Sequence, residues 1–221
     1  MNVTQIVEAI DSHTMGEPTR IVVGGIGDIP GETMGEKKKY LQEQLDYLRT
    51  SLMREPRGHR DMFGAVLTAP TNTEADAGIV FMDHDGYVNM CGHGTIGAVT
   101  VLLERGLVSP RGSDGLVVLD TPAGKVECRA TMIGKRVTSV AVTNVPAFVW
   151  KANHQLELSG GQTISVDVVW GGNSFAIVSA AEAGVSLDRR NIKKLINLGM
   201  EIKERINAEV PVRHPIETHV D

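Results

Sequence analysis

The chain has 221 residues, which is long enough for one large domain or two small ones. Of these residues 42% are hydrophobic and 22% charged, a composition that excludes a largely disordered chain. Its formal net charge is −5 and no Lys/Arg-rich tract extends beyond residues 37–39, which predicts no nucleic-acid partner. Because no segment has the length of a membrane span and two cysteines make no disulfide framework, we expect a cytoplasmic protein without membrane attachment.

The first part of the chain predicts two strands, a loop and a helix. Residues 3–10 and 20–25 have the apolar content of strands, and residues 11–19 between them contain Gly16 and Pro18, which favour turns. Residues 33–53 then carry a capping box followed by leucines at helical spacing. The sequence therefore predicts one long amphipathic helix after the second strand.

Two further strands are predicted over residues 62–68 and 75–82, the second ending in a tight Asp-Gly turn at residues 83–86. His84 lies in this turn between two aspartates, which resembles a metal cluster. A single histidine without two more ligands at suitable spacing is more typical of a solvated turn, so we predict no metal site.

The stretch from Gly86 to Ala98 places Cys91 between a predicted strand and a predicted helix. The helix should begin near Cys91 and end at Gly106, a residue typical of helix C-termini. Free backbone N–H groups and the positive end of the helix dipole meet at a helix start and stabilise negative charge. We therefore expect the pKa of Cys91 to be lowered and its thiolate to be favoured.

The glycines after Cys91 predict an anion site beside the thiol. Gly92 and Gly94 have no side chain that would keep a small anion from those N–H groups. Two other interpretations remain open for the same residues. Residues 92–97 satisfy the Gly-x-Gly-x-x-Gly pattern of a dinucleotide fold, and Cys91 could instead be a buried structural cysteine.

The rest of the chain predicts more strands and a second unit. Strands are expected over residues 115–120, 124–132 and 136–142, with Cys128 as a structural residue in the middle strand. Residues 145–148 read as a crossover, so we predict a first domain over 1–145 and a partial second domain over 146–221. The second domain has predicted strands at 163–170 and 173–178 and a helix at 187–207 with Asp188 as its N-cap.

Four motifs resemble those of the proline racemase family, which includes proline racemase, 4-hydroxyproline 2-epimerase and trans-3-hydroxyproline dehydratase. The segment Met90–Gly97 is similar to the family's Met-Cys-Gly-His motif. The other three motifs run in family-like order and spacing, at residues 11–20, 55–64 and 171–175.

The resemblance implies a fold and a site. The fold is the α+β, diaminopimelate-epimerase-like fold, in which strands wrap around a central helix in each of two similar domains. The backbone N–H groups of Gly92 and His93 would hold the substrate carboxylate, Cys91 would remove the α-proton, and Phe63 would close the apolar side of the pocket. The chemistry needs no cofactor.

The resemblance also reveals a difference. Racemisation requires a second acid on the opposite face of the α-carbon, which the family supplies from a second cysteine motif that this sequence does not contain. The chain is therefore expected to be an N-terminal portion of a family member, with its second domain incomplete. We expect such a chain to form a homo-oligomer, such as a dimer, that covers exposed apolar surface, or to be impaired in activity.

The resemblance implies an isomerase acting on a small molecule, proline or hydroxyproline. A trans-3-hydroxy-L-proline dehydratase remains an alternative, because that reaction needs one thiol only. A non-catalytic imino-acid binding module is the alternative from another class. His214, close to the end of the chain, could face the substrate, although an exposed histidine is the ordinary interpretation.

Overall fold

The structure is a computed structural model that describes residues 5–212. The chain divides into two compact units, the first ending at Val145 and the second beginning at Pro146. Their interpretation as a whole domain and part of a second one stays a prediction. The elements of the first unit are β1 (Glu8–Thr14), β2 (Glu17–Gly24), α1 (Met34–Gln44), α2 (Asp46–Met53), β3 (Phe63–Thr68), β4 (Ala77–Asp83), β5 (Tyr87–Val88), α3 (Gly92–Glu104), β6 (Leu116–Thr121), β7 (Gly124–Ile133) and β8 (Arg136–Thr143).

One mixed sheet of eight strands curls around helix α3. The strand order is β1-β2-β3-β4-β6-β7-β8, with β5 paired to β4, and the pairs β2/β3 and β4/β6 are parallel. The two outermost strands of this order, β1 and β8, both contact α3. A sheet whose opposite edges touch the same helix has to curl around it. This unit therefore has the α+β architecture, strands around a central helix, that the resemblance implied.

Helix α3 can be central because its residues are almost all apolar or small. Residues 92–103 contain no carboxylate, lysine or arginine, and the helix is buried on most of its circumference. Burial of an apolar helix against a sheet is the main source of stability in such a layer. The buried residues of the helix are Gly94, Thr95, Gly97, Ala98, Val99, Val101, Leu102 and Leu103.

Helices α1 and α2 contact the sheet through strands β3, β4 and β6. Strand β4 is buried along nearly its whole length, and its alternate side chains pack on opposite faces of the sheet, one toward α1 and α2 and the other toward α3. Val80 and Met82 pack with α1 and α2 in one apolar cluster. Phe81, between them in sequence, lies against the first turn of α3. Strand β4 therefore joins both layers directly upstream of Cys91.

The second unit is a smaller layer of sheet and helix. It contains β9 (Phe148–Glu157), β10 (Thr163–Trp170), β11 (Ser174–Val178) and α4 (Ile192–Glu209), with a short 3₁₀ helix (Arg189–Asn191) before α4. The sheet is antiparallel in the order β11-β10-β9. Ile202 and Ile206 of α4 pack into its core. Several large apolar side chains of this unit remain exposed, namely Val149, Phe175, Ile177, Leu187, Ile192, Ile196 and Met200.

Two local predictions were wrong, and one strand was missed. Residues 11–19, predicted as a loop, form most of a β-hairpin, because β1 runs to Thr14 and pairs with β2 across a turn at Met15 and Gly16. The predicted helix over 33–53 is two helices, interrupted at Leu45, whose backbone leaves the helical region. Strand β9 was not predicted.

Candidate active site

Cys91 occupies the N-cap position of α3, as the sequence predicted. Its backbone is extended, with φ −143° and ψ 117°, so the chain enters the helix from β5 at this residue. Its carbonyl oxygen accepts two hydrogen bonds from Thr95, one from the backbone N–H at 2.9 Å and one from the hydroxyl at 2.7 Å. Thr95 is fully buried. The position of Cys91 is therefore fixed by the first turn of the helix itself.

The thiol of Cys91 lies beside an imidazole that contacts an aromatic ring. The Sγ atom is 3.4 Å from Nδ1 of His93, and the rings of His93 and Phe63 meet edge to face with 4.7 Å between their centroids. These contacts bring together three of the predicted site residues, from β3 and from α3. A histidine at this distance can exchange a proton with a thiol.

Gly94 is required for this arrangement by a close approach. A Cβ atom at Gly94 would lie 3.1 Å from Sγ of Cys91 and 3.1 Å from the ring of Phe81. Any side chain here would displace the sulfur or the ring. By contrast, a Cβ at Gly92 would meet nothing within 4 Å, and Gly92 is exposed. The space beside Gly92 is therefore open.

The predicted lowering of the thiol pKa is wrong for this structure. Burial raises the pKa of Cys91, because a thiolate loses solvation there, and the carboxylates of Asp83 and Glu17 raise it further. The backbone N–H groups of Gly94 and His93 act in the opposite direction and lower the pKa. The helix start therefore does stabilise negative charge, as expected, but burial has the larger effect. Cys91 is only 9% exposed.

The β1–β2 hairpin supports the site from outside the helix, which the sequence reasoning missed. The hydroxyl of Thr14 donates to the carbonyl oxygen of His93 at 3.1 Å. Arg20 binds the carboxylate of Asp11 and donates to the carbonyls of Leu52 and Arg57, which ties the hairpin to the segment that leads into β3. The hydrogen bond from Arg20 lowers the pKa of Asp11. The motif at residues 11–20 is thus a support for the site.

One predicted site residue, His214, and the residues of the predicted turn remain to be placed. His214 lies outside the described residues, so its role stays a prediction. Among residues 5–212, no group of three His, Cys, Asp or Glu side chains is placed to hold a metal ion. His84 contacts Asp85 at 3.0 Å within the predicted turn. No helix in the same range combines the length and apolar character needed to cross a membrane.

A family model described as proline racemase matches residues 9–221. The chain belongs to the proline racemase family. Over its whole length it is 48% identical to proline racemase of Acetoanaerobium sticklandii and covers 66% of that protein. Over 98% of its length it is 40% identical to trans-3-hydroxy-L-proline dehydratase of Bacillus cereus and covers 65% of that protein. The chain thus spans just under two thirds of the length of these relatives.

Solved structures of the proline racemase family agree with the fold. A hydroxyproline epimerase from Agrobacterium vitis, crystallised with bound trans-4-hydroxy-L-proline, matches the whole chain with a TM-score of 0.93 and 28% identity, and the match covers 65% of that chain. The dinucleotide interpretation of residues 92–97 is therefore wrong. Those residues begin the central helix of a curled, mixed sheet, whereas the dinucleotide motif belongs to an open parallel sheet with helices on both faces.

Proposed function

We propose that the chain performs cofactor-independent α-proton abstraction from proline or hydroxyproline, the first half of a racemase or epimerase reaction. The observation that carries the proposal is the placement of Cys91 and His93 at the start of α3, in a chain 48% identical to a proline racemase. The N–H groups of the same turn offer a place for a carboxylate. A substrate held there would present its α-carbon to the sulfur.

The proposed step moves one proton and one electron pair. The thiolate of Cys91 takes the α-proton, and the electrons of the broken C–H bond move into the carboxylate, where the backbone N–H groups of Gly92 and His93 stabilise the added charge. The N–H of His93, which also acts on the sulfur, is then shared between the sulfur and the carboxylate. His93 accepts the thiol proton beforehand, across the 3.4 Å separation. Because burial raises the pKa of Cys91, its thiolate is a minor species at neutral pH but a stronger base once formed.

Racemisation needs a proton donor on the opposite face of the α-carbon, and Cys128 is not suited to that role. It is fully buried in β7, paired with Val117 and Val142 on the neighbouring strands. One base can return the proton only to the face from which it came. We therefore propose that the 221-residue chain exchanges the α-proton of one enantiomer with solvent without inverting it.

Deuterium incorporation tests this function. The chain is incubated in heavy water with each enantiomer of proline and with trans-4-hydroxy-L-proline, and the α-proton signal is followed by NMR. The proposal expects loss of the signal for one enantiomer, with no change of optical rotation. No exchange on any of these substrates would contradict it, and binding of proline without exchange would favour the non-catalytic binding module.

A dehydratase is the second candidate, favoured by the 40% identity to the trans-3-hydroxy-L-proline dehydratase. Here the base removes the α-proton, the 3-hydroxyl leaves as water, and the resulting enamine becomes a cyclic imine. This chemistry needs no second thiol. Incubation with trans-3-hydroxy-L-proline and detection of the imine, for example by borohydride reduction to proline, separates it from the first candidate.

We also propose that the chain binds a small molecule rather than nucleic acid, works in the cytoplasm and forms a dimer. The net charge of −5 supports the first point, and two free cysteines suit a reducing compartment. Apolar side chains exposed on β11 and α4, among them Phe175 and Met200, support self-association. Sedimentation velocity over a range of concentrations tests the dimer, and a monomer at every concentration would contradict it.

A further inference from the structure

The hydrogen bond from Thr14 connects two parts of the chain that are far apart in sequence. Thr14 and His93 are separated by 79 residues, and the hydroxyl of Thr14 lies 3.1 Å from the carbonyl oxygen of His93. In an α-helix, that carbonyl already accepts the backbone N–H four residues later. The carbonyl of His93, in the first turn of α3, therefore accepts a second hydrogen bond. Its donor is the hydroxyl of Thr14, the last residue of β1.

The hairpin that carries Thr14 is held in place independently of this bond. Its turn is a tight one, in which Met15 and Gly16 both have positive φ, at 52° and 98°. Farther along α3, a Cβ atom at Gly97 would lie only 2.6 Å from the hydroxyl oxygen of Ser12. Helix and hairpin therefore approach one another closely over more than one turn. At one end of this contact, Thr14 binds the carbonyl of His93, two residues after Cys91.

A planar peptide group links the carbonyl of His93 to the thiol of Cys91. The C=O of His93 and the N–H of Gly94 belong to the same peptide unit and point in opposite directions. A donor on the carbonyl therefore fixes the direction of the N–H, and it also polarises that N–H into a stronger donor. The N–H of Gly94 has the largest effect among the groups that lower the pKa of Cys91.

We propose that Thr14 is a positioning residue that acts on Cys91 through the His93–Gly94 peptide group. Its hydroxyl holds the carbonyl so that the N–H on the other end is directed at the sulfur. This role rests on the proposed function in so far as Cys91 is the base. The role itself is a property of the thiol, however, and can be measured without any substrate.

The alternative is that Thr14 only fastens the hairpin to the helix. Thr138 provides a matched control, because its hydroxyl donates to the carbonyl of Thr131 at 3.1 Å within the β7–β8 hairpin of the same unit. Thr14→Val and Thr138→Val thus remove the same kind of bond, and Thr14→Ser keeps the hydroxyl. Three charged or titratable groups near the thiol, His93, Asp83 and Glu17, are present in all variants, and Thr14→Ser keeps Glu17 beside the same hydroxyl.

The experiment measures the rate at which iodoacetamide alkylates Cys91 between about pH 7 and pH 11, with the modified peptide quantified by mass spectrometry. In Thr14→Val we expect the midpoint of the profile to rise by about 0.5 to 1 pH unit, and the rate near pH 8 to fall about 3-fold to 10-fold. Thr14→Ser should stay within about 2-fold of the wild type, as should Thr138→Val.

A profile of Thr14→Val that coincides with the wild type would overturn the proposal, and so would an equal shift in Thr138→Val. If Thr14→Val loses the native circular dichroism, Thr14→Ala takes its place with the same expected shift.

Deuterium exchange is measured on the same variants. If the wild type shows no exchange but Thr14→Val shows the expected alkylation shift, only the proposed function is contradicted. Exchange in the wild type without a shift in Thr14→Val contradicts the role of Thr14 alone.

Discussion

The two cysteines show how the same side chain acquires different properties within one folded unit. Cys128 is fully buried in the middle of β7, and burial alone raises its pKa to about 12. Cys91 is also buried and its pKa is also raised, but two backbone N–H groups at the start of α3 oppose the effect of burial. The two thiols therefore differ in their main-chain surroundings, because only Cys91 has backbone N–H groups that lower its pKa.

The surroundings of Cys91 contain opposing contributions. The carboxylates of Asp83 and Glu17 raise the pKa of the thiol, whereas the N–H groups of Gly94 and His93 lower it. A site that is to hold both a thiolate and a substrate carboxylate benefits from neutral donors, because each N–H stabilises an anion without being titrated itself. The comparison of the two cysteines can be tested by changing each thiol or its donors.

The largest expected effect follows from replacing Cys91. We expect Cys91→Ser to reduce α-proton exchange by about 10³-fold, because a serine hydroxyl is hardly ionised at neutral pH. The matched control is Cys128→Ala, which should retain exchange because Cys128 takes no part in the proposed chemistry. Solvent deuterium incorporation measures both. Similar rates in wild type and Cys91→Ser would show that another residue is the base.

A smaller effect is expected when the donors of Cys91 are displaced and the thiol is kept. In Gly94→Ala the new methyl group would lie 3.1 Å from the sulfur and from the ring of Phe81, so one of them has to move. We expect exchange to fall about 10-fold to 100-fold and alkylation of Cys91 at pH 8 to slow in parallel.

Gly199→Ala is the control for this substitution. Gly199 lies within helix α4 of the second unit, and a Cβ there would meet nothing within 4 Å. An alanine in a helix interior is more favourable than a glycine, so this variant should be at least as stable as the wild type and equally active. Unchanged alkylation in Gly94→Ala would remove the argument that the helix start tunes Cys91.

Much of the first unit could be predicted from the sequence, since its signals are local. The apolar run after Cys91 and Gly106 beyond it predicted a helix near residues 91–106, and α3 spans Gly92–Glu104. The alternation around Cys128 predicted the strand that β7 provides. In the second unit, Asp188 was predicted as the N-cap of a helix over residues 187–207. Its side chain instead caps the short 3₁₀ helix, and the N-cap of α4 is Asn191.

What the sequence could not predict depends on contacts between distant residues. Residues 11–19 were predicted as a loop because the polar part of β1 that they include gains its hydrogen bonds only from pairing with β2. The bond from Thr14 to His93 spans 79 residues and has no sequence signal. The helix start at Cys91 was recognised, but the pKa depends on burial, and burial results from how Phe81 and the curled sheet pack around the sulfur.

The smallest expected effect concerns the stability of the first unit at alkaline pH. The pKa of Cys128 is about 12 in the folded chain against an ordinary value of 9.0, so the folded state binds more protons between these pH values. The contribution of the neutral Cys128 thiol to the free energy of unfolding is therefore fully present below about pH 9 and is lost as the pH rises toward 12. Near pH 10.5 the loss from this thiol is about 2 kcal/mol.

Cys128→Ala removes this titration. At pH 7 the variant should be less stable by about 1 kcal/mol, because it leaves a small cavity, and this deficit should shrink or reverse above pH 9. Burial also raises the pKa of Tyr87. The loss of stability that this causes at high pH is common to both proteins and cancels in their difference.

Both tryptophans, Trp150 and Trp170, lie in the second unit, so their fluorescence in urea serves as an internal control. Far-UV circular dichroism follows both units. A deficit that stays constant from pH 7 to pH 10.5 would mean that burial does not hold Cys128 in its neutral form, and the contrast with Cys91 would have to be abandoned.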